Sequence, residues 1–388
     1  MDKHFACAQS AFFMWIGMRD KWKGAGKVTQ QEIIESLLQF INQETSTEEE
    51  FNEHALMLFA YQYENNLPYR TYCMQKGKTA RTVKTWRDIP AVPINAFKEL
   101  TLSCVSPEQA ERVFMTSGTT RGVRGKHYHP TLSVYDHSMI VNFRKRFMKE
   151  RDKIKMGILF PTEEHMPNSS LAHYLALAVN VFGTEDSHYL VDRDGLNMDR
   201  LLAELEQAEQ SGEPYALLGA SFSFVHVFEE LAKRGKTFRL PEGSRILDTG
   251  GFKNQSREMD LDEFYDTLSA YLGVPRRECI NMYGMTELST QFYDDGNETV
   301  PSVKSGPHWI RTRVIHPLTG EEMSKGERGV LVHCDLGNFN SVTTILTEDM
   351  GVETDGGFLL LGRVQGAEAK GCSMAVEEFI RAAKGTSE

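Results

Sequence analysis

The chain has little of what would make it a zinc protein, a disulfide scaffold, a membrane span or a duplex-binding surface. Its six cysteines, Cys7, Cys73, Cys104, Cys279, Cys334 and Cys372, are scattered with no C-x-x-C spacing, which speaks against structural zinc and a compact disulfide framework. Reduced thiols of a cytoplasmic protein are the expectation. No segment reaches the roughly 18 to 20 apolar residues that a bilayer crossing needs, so no transmembrane segment is expected. The apolar stretch Phe5 to Met18 imitates a signal peptide. It lacks a small-residue cleavage site and runs straight into Arg19-Asp20-Lys21, so a packed helix is expected there instead. Positive charge is not in excess: a net charge of −11 disfavours nucleic-acid binding and nonspecific attraction to anionic membranes. Internal repeats and low-complexity tracts are lacking as well.

What is present is enough apolar content, 40% of 388 residues, for one large α/β unit with a smaller appendage. The first hundred residues are helical in pattern. Gln31 to Gln43 places Ile33, Ile34, Leu37, Leu38 and Ile41 on one stripe, and Glu49 to Glu64 behaves alike. After the irregular turn Ile89-Pro90-Ala91-Val92-Pro93-Ile94 the texture changes. Short apolar runs at Met156–Phe160, His188–Val191, Tyr215–Leu218, Ile246–Leu247 and Cys279–Met282 alternate with helix-length segments such as Ser133–Lys149 and Met198–Glu209. Strands alternating with helices predict parallel pairing, hence an α/β fold. Several runs end in residues suited to a ligand: Pro161-Thr162, Gly219-Ala220-Ser221, Asp248-Thr249-Gly250-Gly251 and Tyr283-Gly284. Parallel sheets bind ligands at strand carboxyl ends, so these turns are expected to share a crevice. From Trp309 to Leu361 the pattern is alternating and turn-rich, which predicts a small antiparallel β subdomain.

Met115-Thr116-Ser117-Gly118-Thr119-Thr120-Arg121-Gly122-Val123-Arg124-Gly125 combines hydroxyls, glycines and cations. Converging N–H groups, the hydroxyls of Ser117, Thr119 and Thr120, and the charges of Arg121, Arg124 and Lys126 suit a nucleotide phosphate tail such as that of ATP. An ordinary polar surface loop is the competing interpretation. Asn281-Met282-Tyr283-Gly284-Met285-Thr286-Glu287 adds a ring face for a base at Tyr283, a hydroxyl for phosphate at Thr286 and a hard oxygen ligand for Mg²⁺ at Glu287. Downstream, Asp349 can hold a ribose diol and Arg363 can answer a phosphate, while Asp355-Gly356 reads as a hairpin turn. His165 is a candidate for the border of an acyl pocket, with a surface histidine as the plainer alternative. Phe222, Phe224 and Phe228 share a helix face that would line either a greasy tunnel or the core. Ser221 sits in no Gly-x-Ser-x-Gly elbow, which disfavours a serine hydrolase.

The order Thr116–Thr120, Gly250-Gly251, Tyr283–Glu287, Asp349, Gly362-Arg363 resembles the adenylate-forming superfamily of acyl-CoA ligases, firefly-type luciferases and adenylation domains, from about residue 85 to about 380. The resemblance implies the N-terminal domain fold of those enzymes, with parallel-containing sheets flanked by helices. It also implies ATP phosphates on Thr116, Ser117, Gly118, Thr119 and Thr120, and adenine and Mg²⁺ at Tyr283, Gly284, Thr286 and Glu287, beside Gly250 and Gly251. Asp349 would take the ribose, with Arg363 close to the ribose or phosphate. Three positions depart from the pattern: Arg121 replaces glycine, Val123 replaces proline, and Gly366 stands where a hinge aspartate is common. The sequence also stops about 25 residues after Arg363, so a truncated C-terminal domain without the superfamily's mobile lysine is expected.

Within that superfamily, Ile89–Lys98 with its Pro-Ile and Phe-Lys, Phe160-Pro161-Thr162-Glu163 followed by Ser169-Ser170-Leu171, and Gly371-Cys372-Ser373 resemble the acyl-protein synthetase (LuxE-like) family. There a cysteine near the C-terminus takes the acyl group from acyl-AMP and hands it to a partner acyl reductase. Cys372 matches that position, and Lys370 is its nearest candidate for favouring the thiolate. The expected organisation is a helical lead-in over 1–100, an α/β nucleotide- and acyl-binding core over 101–308, the β subdomain over 309–361, and a remnant C-terminal segment over 362–388. The expected function is ATP- and Mg²⁺-dependent activation of a carboxylic acid, a fatty acid on this resemblance, and its transfer to Cys372. A compact CoA ligase of the phenylacetate type and a non-catalytic nucleotide-binding subunit of a reductase complex are the alternatives.

Overall fold

The computed structural model describes residues 28–117, 123–251 and 256–383. The helix expected over residues 5–18 lies outside them. Helices α1 (Gln30–Ile41), α2 (Glu48–Asn65) and α3 (Leu67–Gln75) come first. Thr29 and Thr47 start α1 and α2 with capping boxes closed by Glu32 and Glu50, which satisfy otherwise orphaned N–H groups. The short strand β1 (Val92–Pro93) and the one-turn helix α4 (Ala96–Glu99) follow. A hairpin of β2 (Arg112–Met115) and β3 (Lys126–His129) then brackets the candidate phosphate loop.

The centre of the molecule is built from α5 (Ser133–Phe143), β4 (Lys155–Leu159), α6 (Ser170–Phe182) and β5 (His188–Tyr189). It continues through the small hairpin β6 (Val191–Asp192) and β7 (Gly195–Leu196), then α7 (Met198–Ser211), β8 (Tyr215–Ala220) and α8 (Ser221–Arg234). Strand β9 (Arg245–Thr249), helix α9 (Leu261–Leu272), β10 (Cys279–Tyr283) and β11 (Phe292–Tyr293) complete it. The sheet order is β11-β10-β9-β8-β4-β5, parallel throughout except for β11. Alternate strand residues face opposite layers. Leu217, Ile246 and Cys279 pack with residues of α7, α8 and α9. Ala216, Leu218, Leu247 and Ile280 pack with residues of α5 and α6. Burial on both faces is why these strands read as continuous apolar runs. Each fully buried Leu or Phe stabilises the sandwich by about 1.5–3 kcal/mol.

A second sheet combines β12 (Val303–Lys304), β13 (Ile310–Ile315), β14 (Arg328–Asp335), β15 (Thr344–Thr354) and β16 (Gly357–Arg363) in the order β12-β16-β15-β14-β13. It is antiparallel, save that β1 pairs in parallel with β15. The N-terminal helices share one core with this sheet. Gln62 of α2 reaches across it, donating to Asn338 O (2.8 Å) and accepting from Thr343 N (2.9 Å). The last helix, α10 (Gly366–Ala383), packs on α3, β1 and α4.

Two elements differ from the sequence reading. The run His188–Val191 is two strands, because Leu190 turns fully inward and its N–H bonds Ile158 O at 2.9 Å. The helix at Ser133 widens into a π turn over Arg144–Met148 and stops at Lys149, whose φ is 54°. Phe224 and Phe228 are core residues, and Phe222 is half-buried beside the opposite layer.

Candidate active site

Parallel register brings Ala220, Thr249 and Tyr283 to the same end of the central sheet. Thr249 Oγ1 donates to Met282 O at 2.8 Å, so the turns leaving β9 and β10 start side by side. Gly250 and Gly251 form the first of these turns, Gly250 at φ 77° and neither with another described group within 4 Å of where a Cβ would sit. Exposed Gly284 opens the second, and Thr286 and Glu287 follow it.

The phosphate-loop candidate meets that second turn at its rim. Thr116 N–H bonds Gly125 O (3.0 Å) and Gly125 N–H bonds Thr116 Oγ1 (2.9 Å), which closes the base of the loop. A Cβ on Gly125 would lie 3.2 Å from Thr116 Cγ2, 3.3 Å from Glu287 Oε1 and 3.6 Å from Lys98 Cγ. A side chain here would be tightly contacted, and loop rim, carboxylate and lysine stem meet at one point. Ser117 is exposed. Gly118, Thr119 and Thr120, with Arg121 and Gly122, lie outside the described residues.

Glu287 is 3% exposed, and burial pushes its carboxyl up to about 7. Its corner is rigidly held. Asn338 Nδ2 donates to Glu287 O at 2.8 Å, and Asp335 accepts from the Ser289 and Thr290 N–H groups, each at 2.9 Å. On the loop side, His127 contacts Thr286 O through Nδ1 (3.0 Å) and Ser341 through Nε2 (3.1 Å). Burial lowers the His127 pKa to about 4, so the ring stays neutral.

The second sheet supplies the opposite wall. Tyr283 OH donates to Asp349 Oδ2 at 2.9 Å, and the ring is packed against Phe292, His333 and Phe358. Burial, and then the neighbouring Asp349 charge, raise the phenol well above its usual range, which keeps it a donor. Asp349 and Arg363 are cross-strand partners, with Arg363 Nε 3.1 Å from Asp349 Oδ1 and Nη1 3.5 Å from Glu348 Oε2. Glu348 in turn accepts from Asn95 Nδ2, and Asn95 Oδ1 accepts from Lys98 Nζ at 2.6 Å. One polar chain therefore runs Tyr283, Asp349, Arg363, Glu348, Asn95, Lys98 across the mouth of the site.

The residues fit magnesium and a nucleotide chemically. No group of three or more His, Cys, Asp or Glu among the described residues forms a metal cage. A single buried carboxylate beside a phosphate-binding loop is what Mg²⁺ uses when it keeps its waters and takes substrate phosphates as further ligands. His165 is exposed, and its ring is bonded to Thr162 Oγ1 (3.0 Å) and Arg193 Nε (3.3 Å) and not to these residues. Lys370 and Cys372 fall in α10, directly after the β16 strand that ends at Arg363; their side chains lie outside the described residues. A separate cavity of about 640 Å³ lies at the amino-terminal ends of β9 and β10, lined by Arg151, Glu242, Arg277 and Glu278 among others, and takes no part in this arrangement. Sequence reasoning missed Asn95, Glu348, Asp335 and Asn338, which belong to no spacing pattern. Lys98 was visible only as the end of the Phe-Lys pair.

A parallel core whose strand ends face Asp349 and Arg363 on an antiparallel sheet is the architecture of the adenylate-forming ligases. The structure of 2-hydroxyisobutyryl-CoA ligase in the postadenylation state with 2-HIB-AMP superposes with a TM-score of 0.61 at 14% identity, over 82% of this chain and 68% of that one. The same ligase in its thioesterification state, with 2-HIB-AMP and CoA, gives 0.59 at 16% identity, over 83% and 70%. Within that class the chain belongs to the acyl-protein synthetase family, LuxE, which matches residues 27–380. It is 25% identical to the long-chain-fatty-acid–luciferin-component ligase of Vibrio harveyi over 336 residues, 84% of this chain and 86% of the relative. The ligase of the same description from Aliivibrio fischeri is 25% identical over 298 residues, 76% of each chain. The protein is accordingly an enzyme of the AMP-forming ligase class.

Proposed function

We propose that this chain activates a long-chain fatty acid with ATP and Mg²⁺ as acyl-AMP, loads the acyl group on Cys372, and delivers it to a partner acyl reductase in the cytoplasm. The observation that carries the reading is a pair of contacts on one turn: Glu287 approaches the Thr116–Gly125 loop rim, and Tyr283, four residues before it, bonds Asp349 of the Asp349–Arg363 pair. The substrate class is taken from the relatives, both named for a long-chain fatty acid. No helix among the described residues is long and apolar enough to cross a membrane.

The chemistry follows from leaving groups. A carboxylate cannot expel oxide, so it must first become a mixed anhydride. Its oxygen attacks the α-phosphorus of ATP, the bond from that phosphorus to the bridging oxygen breaks, and pyrophosphate leaves with the electron pair. Thr116, Ser117, Gly118, Thr119 and Thr120 would hold the phosphates, Glu287 the Mg²⁺, and Asp349 the ribose. Tyr283, with Gly250, Gly251, Gly284 and Thr286, would hold the base and its approach, and Arg363 would orient Asp349. The Cys372 thiol loses its proton to solvent, the resulting thiolate attacks the acyl carbon, and the bond from that carbon to the phosphate oxygen breaks as AMP departs with the electron pair. Lys370 would favour the thiolate by charge. An acylation pH profile unchanged in Lys370→Ala would remove it from that role.

The test uses the full chain with ATP, Mg²⁺ and radiolabelled long-chain fatty acid. Hydroxylamine-sensitive label on the protein is expected, lost in Cys372→Ser while acid-dependent ATP–pyrophosphate exchange persists. Label that appears only on added CoA would establish the CoA-ligase alternative instead. Tight ATP binding without exchange for any acid would point to the non-catalytic subunit.

A further inference from the structure

Four cations have described side chains near the candidate phosphate site, and the structure leaves them in different states, with Lys126 exposed at the start of its strand. Arg363 is held by two carboxylates, Asp349 at 3.1 Å and Glu348 at 3.5 Å, so its charge is largely answered within the protein. Arg124 is exposed to solvent. Lys98 is different on both counts. It is half-buried, and its one hydrogen bond among the described residues goes to a neutral amide, Asn95 Oδ1, at 2.6 Å. Its stem passes 3.6 Å from the point where a Gly125 Cβ would sit, and Glu287 Oε1 is 3.3 Å from that same point. Lysine and carboxylate thus face each other across the closed base of the loop. Asn95 is itself fixed, since its Nδ2 donates to Glu348, which also meets Arg363.

We propose that Lys98 is a catalytic residue of the adenylation half-reaction, a fixed cation that binds the ATP phosphates opposite the Glu287-bound metal and offsets the charge that builds on departing pyrophosphate. The proposal rests on the function proposed above and adds to it the source of a cation for the first step. Glu287 would hold the metal, and the Lys98 ammonium would add a second positive charge for the outer phosphates that leave as pyrophosphate. The bond that breaks is the one between the α-phosphorus and the bridging oxygen, and the ammonium stabilises that oxygen without giving up its proton. Asn95 is the positioning residue, since its amide oxygen aims the ammonium. The C-terminal helix reaches the same segment: Val376 lines a small cleft with Pro93, Ile94, Asn95 and Glu348. The thiol-bearing helix is therefore seated against the segment that carries this cation.

The experiment compares wild type with Lys98→Met and Lys98→Arg in three readouts: equilibrium binding of Mg-ATP and of AMP, acid-dependent pyrophosphate exchange, and transfer from a synthetic long-chain acyl-AMP to Cys372. Lys98→Met is expected to weaken Mg-ATP binding by about 10-fold or more while leaving AMP binding within about 2-fold, as loss of one charge-assisted contact to the outer phosphates requires. Exchange should fall by about 100-fold or more. Transfer from preformed acyl-AMP should stay within about 2-fold of wild type, and Lys98→Arg should recover part of the exchange. Equal losses in ATP binding, AMP binding and acyl-AMP transfer would mark Lys98 as merely structural and overturn the proposal, as would an unchanged ATP-to-AMP ratio. Should wild type fail to exchange with any fatty acid, the function proposed above falls, and the ATP-to-AMP binding ratio still judges Lys98.

Discussion

The hydroxyl of Tyr283, at the end of a parallel core strand, donates to the carboxylate of Asp349, on a strand of the other sheet, at 2.9 Å. This bond joins the two sheets at the site, between residues 66 positions apart in sequence. It makes the distance between the corner proposed to hold the base and the acid proposed to hold the ribose a property of one contact. Tyr283→Phe keeps the ring among Phe292, His333 and Phe358 but leaves Asp349 with one partner fewer. A stability loss of about 1–2 kcal/mol in denaturant unfolding is expected, with a several-fold rise in KM for ATP. Asp349→Ala should raise that KM by about 10- to 100-fold, the worth of a charge-assisted contact to the ribose.

Glu287 gives the apo protein a pH signature. Its folded-state pKa is raised by burial from 4.5 to about 7, so the protonated form is the one that folding favours. Its contribution to stability is complete below the unfolded value and is lost as pH rises through about 7. Apo protein should therefore lose on the order of 3 kcal/mol between pH 4.5 and 7 from this group. Glu287→Gln should flatten that part of the profile in a pH series of denaturant melts. Metal binding needs the ionised form, so Mg-ATP affinity should rise from pH 6 to 8 in wild type and lose that dependence in the variant.

Gly125 tests the closeness of the loop rim. Alanine there would press a methyl between Thr116, Glu287 and Lys98, at 3.2, 3.3 and 3.6 Å. Overpacking of this kind costs about 1–3 kcal/mol, and here it falls on the substrate site. Gly125→Ala is expected to raise the KM for ATP by about 10-fold or more, whereas the far-UV spectrum should not change.

Gly371 tests the seat of the thiol-bearing helix. A Cβ at this position would lie 2.2 Å from Pro317 O, a backbone atom, and 3.0 Å from Leu318 Cδ2, so the helix must lift away from that turn. Gly371→Ala should slow acylation of Cys372 by about 10- to 100-fold, because small misplacements of a reacting group are costly. Pyrophosphate exchange should stay within about 2-fold. Equal losses in both steps would separate the helix seat from acyl transfer.

Several features of this architecture are legible without coordinates because they depend on local periodicity and on backbone chemistry. The apolar runs at 156–160, 215–218, 246–247 and 279–282 are strands, since burial on both faces leaves them no polar alternation to obscure. The stripe from Ile33 to Ile41 is a helix face that meets the core. The Thr116-to-Gly125 loop, Glu287 and Asp349 stand out because hydroxyls, glycines and carboxylates are scarce in apolar surroundings unless a turn or a ligand needs them.

Other relationships only the tertiary structure decided. Lys98 lies in a one-turn helix with no periodic signal and Asn95 immediately precedes that helix, yet the pairing of Val92–Pro93 with Ile345–Leu346 carries them to the mouth of the site. Asp335 and Asn338 carry no signal in the sequence, and only their bonds to Ser289, Thr290 and Glu287 place them beneath the corner proposed to hold the metal. The physical reason is common to all of these. Local sequence sets which segments become helix, strand or turn, whereas which side chains meet depends on sheet register and on contacts between residues hundreds of positions apart, and no spacing rule along the chain encodes those.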